Sequence, residues 1–585
     1  MRAAGEPDRR KLIAAVLGER PADLSIENVR LVNVITGEIY PASVDIAEGI
    51  IILVRTEGEP GPEAKERFDG GGNYLIPGYI DTHVHVESTM MTPENFARAV
   101  IPWGTTTVVA DPHEIANVMG VAGVQFMLES GRRSPLRHFV LAPPCVPSVP
   151  GLEESGAVFT EKEIGRLLDE PGVIGIGELM NYLKISQGDE RMSRIIAEGI
   201  SRGKFLQGHA PRLQGRRLAA YRLAGPQSDH ECRSSGEAAE KARLGLHINL
   251  KTSSLSNHLP EALMGIQGQR WRDNVSLCTD DVHAGVICRE GHLNRVVAKA
   301  VGYGADPLEA VRFATYNGAR EYGFEDLGAI APGFAADLQL VEGLNGCRPL
   351  AVWIGGKLAA REGEMVMDWE SGPAEPFCPP KLAYIRSEED LELAAPAEGG
   401  ETLVIQSRAD GPFNRAAYER LPVRGGKVVI EEDPDLAWIC VCNRYGKEQK
   451  TIAPIRGFGS VSGAFGATVA HDSHNLVLIY RDPADALLAV KKIQEMGGGM
   501  ALAEHGRICA SLPLPAGGLM SFCRCEEVAA QAERLEQALK EKWGNVWLLK
   551  HATAALPVLP GVLITDLGIV DGDRQEFLPQ FRIPG

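Results

Sequence analysis

The chain has no run of apolar residues approaching the roughly 18 that a membrane span needs. The apolar stretch within MRAAGEPDRRKLIAAVLGERPADL is too short for a signal-peptide core, and no small-residue cleavage site follows it. There is no basic stripe either: 77 acidic against 60 basic side chains leave a formal net charge of -17. That balance excludes nucleic acid and anionic membrane as expected partners. Cys-x-x-Cys pairs are missing; the 11 cysteines are scattered, with Cys440/Cys442 and Cys523/Cys525 merely two apart. They read as reduced thiols filling core space in a cytoplasmic protein. The glycine-rich run 457–466 is followed by neither Lys-Ser/Thr nor a helix signal, which excludes a phosphate loop.

What is there is 585 residues of ordinary globular composition, 44% hydrophobic and 23% charged. That length exceeds one hydrophobic core, so two to four domains are expected. Residues 9–20 predict a short amphipathic helix packed through Leu12, Ile13, Val16 and Leu17. Residues 24–73 read as short strands with turns at Thr36-Gly37 and Glu48-Gly49. Complementary strands return far downstream in GAIAPGFAADLQLVEG and AVWIGGKLAAREG. Neither set buries a face alone, so a β-sandwich built from both ends (1–76 and 325–368) is expected, with another domain inserted.

The insert, 77–324, has the size of a (β/α)8 barrel. Eight strand candidates lie at 79–86, 106–110, 138–142, 173–178, 204–209, 224–230, 245–250 and 275–279. Helical stretches at 93–100, 121–131, 160–170, 192–201 and 235–244 separate most of them, the alternation of a parallel sheet. A Pro/Glu/Ala-rich crossover follows at 369–400. An α+β domain fills 401–585, with strands such as TLVIQSR and helices in DPADALLAVKKIQEMGGG and EEVAAQAERLEQALKEKWG.

In Ile80-Asp81-Thr82-His83-Val84-His85 the two histidines are one residue apart on a strand, so both imidazoles face one point, at the strand end where barrels keep their chemistry. Other strands end in Glu178, His209, His230 and Asp280. Four histidines and two carboxylates on one rim make a candidate metal site.

This series resembles the amidohydrolase superfamily and, within it, the bacterial adenine deaminases. The resemblance rests on PGYIDTHVHVESTMMTP, TTTVVADPHEIANVMG, CVPSVPG, GELMNY, GHAP, SDHE, LCTDDVHAG, AHDSHN, EMGGG and LPLPAGGLMS, and covers nearly the whole chain. It implies hydrolysis of adenine to hypoxanthine and ammonia by metal-bound hydroxide. The alternatives are another aminopurine or a cyclic amide as substrate, or a metal-binding protein without catalysis. The metal ligands would be His83, His85, Glu178, His209, His230 and Asp280, more than one open catalytic ion requires. They suit two divalent transition-metal ions, Mn or Fe ahead of Zn, with Glu178 as the bridge.

Asp280 is the expected proton shuttle, with Asp281 as its rival. Glu114 is the candidate general acid, although its place at a helix start serves equally well to cap that helix. His283 is a candidate substrate contact or a loop hydrogen-bonder. His471, Asp472 and His474 are expected either to cover the site or to be structural. A purine and a second copy of the chain, as a dimer or larger homo-oligomer, are the expected partners. One stretch departs from the family pattern: residues 251–258, Lys-Thr-Ser-Ser-Leu-Ser-Asn-His, stand where Arg-Glu-Gly-Ser is typical. Loss of that charged pair is expected to alter purine use.

Overall fold

The computed structural model describes residues 1–3, 7–56, 58–254, 256–396, 400–407, 414–544, 548 and 551–583. Leu255 of the divergent stretch, residues 397–399 of the crossover and Arg408 of TLVIQSR lie outside them. The central unit has eight parallel strands: β1 (Tyr79–His85), β2 (Thr105–Ala110), β3 (Arg137–Ala142), β4 (Val173–Leu179), β5 (Phe205–Gly208), β6 (Ser228–Asp229), β7 (His247–Lys251) and β8 (Val275–Cys278). The eighth resumes at Asp280–Asp281 and pairs with β1 at Val84 and His85, closing the ring on that side. Between β5 and β6 the Gln227 N–H donates to Leu206 O at 2.8 Å. Every residue of β1, β2 and β4 is buried, as expected of strands covered on both faces.

Two expectations are corrected. The sixth strand covers Ser228–Asp229 rather than 224–230, because Tyr221 and Leu218 already bury the inner face of helix Gly215–Ala224, which ends at Gly225 with φ 141. The first helix is only Arg9–Val16, capped by the Asp8 carboxylate. Leu12 and Val16 pack inward beside buried Ala15, whereas Ile13 and Leu17 are exposed.

Both chain ends of the insert feed one nine-stranded sheet, joined where Tyr74–Pro77 pairs antiparallel with Leu338–Val341. Its flanks meet across a core: Phe68, on the Ala64–Asp69 strand, packs edge-on against Trp353 of Ala351–Ile354 at 4.9 Å. A second nine-stranded sheet, beginning at Glu401–Gln406, carries helices Pro483–Glu495 and Cys525–Trp543. Between them, the described residues of 366–400 hold one helical turn, Glu388–Leu391.

The C-terminal domain lies directly on the barrel rim. Ser521 N–H donates to Met90 O at 2.8 Å, and Asn475 Nδ2 to Glu154 O at 2.9 Å. One apolar cluster contains Val84, Phe96 and Ile115 of the barrel together with Ile439, Phe465 and Leu514. At this seam Glu153 is buried; its Oε1 accepts from Ser148 Oγ at 2.5 Å and Val149 N–H at 3.1 Å, while Oε2 has no partner. Burial pushes its pKa up to about 8. A carboxyl raised on folding stabilises fully below its unfolded pKa of about 4.3, and that contribution is lost as pH rises through about 8. Glu153→Gln should therefore lose less melting temperature than the parent between pH 6 and pH 9; parallel pH profiles would refute this.

Candidate metal centre

Each proposed ligand is delivered by a strand end. His83 and His85 share a face of β1, and their rings pack edge-to-face at 4.6 Å. Glu178 is the penultimate residue of β4, and the glycine before it is obligatory: a Cβ on Gly177 would lie 2.2 Å from Asp111 Oδ2. That oxygen accepts the Glu178 N–H at 2.6 Å, so Asp111 at the end of β2 sets the carboxylate's position. Asp280 breaks the eighth strand with φ 59, a left-handed conformation that Asp tolerates better than most residues. Asp81 Oδ2 accepts from Thr279 Oγ1 at 2.6 Å and Oδ1 from the His83 N–H at 3.2 Å, tying the first and last strands together beneath the site.

The six side chains converge. Glu178 Oε1 lies 2.9 Å from His83 Nε2, 3.5 Å from His85 Nε2 and 2.9 Å from His230 Nε2, and Oε2 lies 3.2 Å from His209 Nδ1. Asp280 Oδ1 lies 3.2 Å from His83 Nε2 and 3.7 Å from His85 Nε2. Two groups of potential ligands result, His83/His85/Glu178/Asp280 and Glu178/His209/His230, sharing Glu178.

The donor set fits a divalent metal. His230 Nε2 and His209 Nδ1 are buried against the carboxylate yet make no hydrogen bond, so they crowd an anion without satisfying it. Burial works to raise Glu178, but His209 and His230 hold it well below the carboxylate range. Burial likewise opposes ionisation of Asp280, and Lys251 with His83 and His85 holds it well below. His83 is pushed up to about 9: burial lowers it, and Asp280 and Glu178 more than compensate. A proton is thus the competitor of a metal ion here.

Sequence reasoning missed Lys251 and Glu231. Lys251 Nζ is buried at the end of β7, donating to Asp280 Oδ2 at 2.9 Å and to Glu231 Oε1. Lys251 supplies the cation, and Glu231, the last residue of SDHE, supplies the anion from a neighbouring strand end. Ser254 of the divergent stretch packs on the loop after β8, its N–H donating to Asp281 O at 2.7 Å and its Oγ accepting the His283 N–H at 3.1 Å.

Glu114 lies beside this centre, fully buried, with Oε1 accepting from Ser88 Oγ at 2.8 Å. His471 Nδ1 and His474 Nε2 of the C-terminal domain face it at 3.9 and 3.7 Å. His283 lines a cleft of about 520 Å³ with Ala284, Val528 and Ala532 and belongs to neither ligand group.

The amidohydrolase family model matches residues 74–359, and the adenine deaminase C-terminal domain model matches residues 413–576. Adenine deaminase 2 of Carboxydothermus hydrogenoformans is 35% identical over 97% of this chain and 98% of its own. Adenine deaminase 3 of Rhizobium meliloti is 38% identical over 97% of both chains. The chain belongs to the adenine deaminase family. Kosmotoga olearia adenine deaminase, at 36% identity over 97% of this chain and 98% of its own, extends the family likeness. Among solved structures, the β-aspartyl dipeptidase of Fervidobacterium islandicum AW-1 is similar at 18% identity, covering 60% of this chain and all of that one, with a TM-score of 0.45.

Two measurements follow from the geometry. Loading metal-depleted protein at pH 7.5 should release protons into a weakly buffered solution, since His83 titrates at about 9; Glu178→Gln, which weakens both ligand groups, should bind less metal and release fewer. Metal uptake without proton release would contradict the electrostatics. Lys251→Met should destabilise the fold by about 3–5 kcal/mol, the cost of stranding buried carboxylates, and Lys251→Arg by less. Denaturant unfolding decides this, and a cost below about 1 kcal/mol would show that the pair is not felt.

Proposed function

We propose that the protein hydrolyses adenine to hypoxanthine and ammonia. The observation that carries the reading is identity of 35–38% to adenine deaminases across nearly the whole chain, with four strand-end histidines converging on Glu178. Two divalent ions, Mn or Fe ahead of Zn, held by His83, His85, Glu178, His209, His230 and Asp280, would lower the pKa of water from 15.7 towards about 7 and so supply a nucleophile at neutral pH.

Asp280 is the proton shuttle of this reading. Lys251 anchors its Oδ2 while Oδ1 faces the histidines, so an ionised carboxylate is held ready to take a proton and return it to departing ammonia. Glu114 is the proton donor to the ring. Ser88 Oγ lies 2.8 Å from Glu114 Oε1 and 2.6 Å from Asp281 Oδ1, yet a serine hydroxyl has one proton to give. Both contacts are hydrogen bonds when one of the two carboxyls is itself protonated, which supports a stored proton beside the site. His283, which opens the helix after Asp281, is the substrate contact of this reading.

The reading extends to the cytoplasm, consistent with 11 cysteines scattered along the chain without Cys-x-x-Cys pairs, and to a homo-oligomer, dimer or larger. Met264 and Trp271, on and just past helix Leu259–Gln267, are 60% and 71% exposed and support self-association, which light scattering tests. Among the described residues no helix is long and apolar enough to cross a membrane.

Asp280→Asn should cut adenine turnover by at least about 100-fold, with Asp281→Asn as the control. Ammonia release from a panel of aminopurines on Mn-loaded protein tests the substrate; a preference for another compound by more than about tenfold in kcat/KM would overturn adenine.

A further inference from the structure

The geometry points to another divalent-cation site, made by His113, His471 and Asp472, where the C-terminal domain meets the barrel. It stands independently of the adenine reading. His113 opens the helix after β2, and His471 and Asp472 lie in the loop before strand Leu476–Tyr480. All three are buried, at 3%, 6% and 2% exposure.

Spacing decides between hydrogen bonding and a shared ion. Asp472 Oδ1 lies 3.4 Å from His113 Nε2 and 3.8 Å from His471 Nδ1, beyond the roughly 2.7–3.2 Å of N–H···O hydrogen bonds. Donor atoms about 2.1 Å from one ion at tetrahedral angles stand about 3.4 Å apart. Asp472 Oδ2 is also buried with no hydrogen-bond partner. A buried carboxylate without donors is costly unless a cation meets it.

The surroundings select which nitrogens bind. His113 turns Nδ1 toward Asp111 Oδ1 at 3.6 Å, both without hydrogen-bond partners, and Nε2 toward Asp472, so Nε2 is the nitrogen presented to an ion. His474 is excluded as a ligand. Its Nδ1 accepts the Ala470 N–H at 3.2 Å, so its Nε2 carries the proton of a neutral ring and has no lone pair for an ion. Two imidazoles and one carboxylate suit Zn, Mn or Fe(II), with a fourth position open. The ion would pin the 471–474 loop to the barrel.

Crystals of the full-length protein saturated with zinc test this through anomalous scattering at the zinc edge. The expected result is a peak bonded to His113 Nε2, His471 Nδ1 and Asp472 Oδ1, separate from density at Glu178. Asp472→Asn should bind one equivalent fewer by elemental analysis and keep the density at Glu178, whereas His83→Asn should weaken the latter and keep the former. No peak at Asp472 in saturated parent crystals, or unchanged metal content in Asp472→Asn, overturns the proposal. Should Asp472→Asn fail to fold, the parent map decides alone.

Discussion

Ionised carboxylates buried where β1, β4 and the resumed eighth strand end are the constraint on which the molecule turns. Glu178 is 2% exposed and Asp280 4%, and a carboxylate taken out of water costs several kcal/mol unless cations or donors surround it. Asp280 is met by Lys251, which also reaches Glu231, itself paired with Arg233 at 3.0 Å. Glu178 is met at its side-chain oxygens by imidazoles. That residual anionic character, enclosed by nitrogen lone pairs, makes the rim a trap for divalent ions.

Holding such a trap rigid falls to residues that never enter it. Asp111 fixes Glu178 through its backbone N–H and forbids a side chain at Gly177. Asp81 ties the His83 backbone to Thr279, so the first and last strands present their ligands in fixed relation. A ligand set is only as precise as its supporting hydrogen bonds.

The C-terminal domain shares a hydrophobic core with the barrel and brings His471, Asp472 and His474 against His113 and Glu114. Covering the rim excludes water and strengthens every charge interaction inside it. The domain thus completes the environment of the site.

The sequence by itself determined the barrel, because strand–helix alternation and β-branched strands such as β2, Thr-Thr-Thr-Val-Val-Ala, are legible from local pattern. It also determined the six candidate ligands, since residues at strand ends of a parallel barrel share one rim whatever the loops do. Where local pattern misled, packing had the final word: Ala224, expected to open the sixth strand, instead ends a helix that buries Tyr221 and Leu218, and Ile13 and Leu17 face solvent although their spacing suits a buried stripe. Only the tertiary structure decided that Lys251 pairs with Asp280 and Glu231, and that Asp472 meets His113 across 359 positions of chain. Charge pairing between distant segments depends on distances that only the folded chain sets, and no periodicity within either segment carries that information.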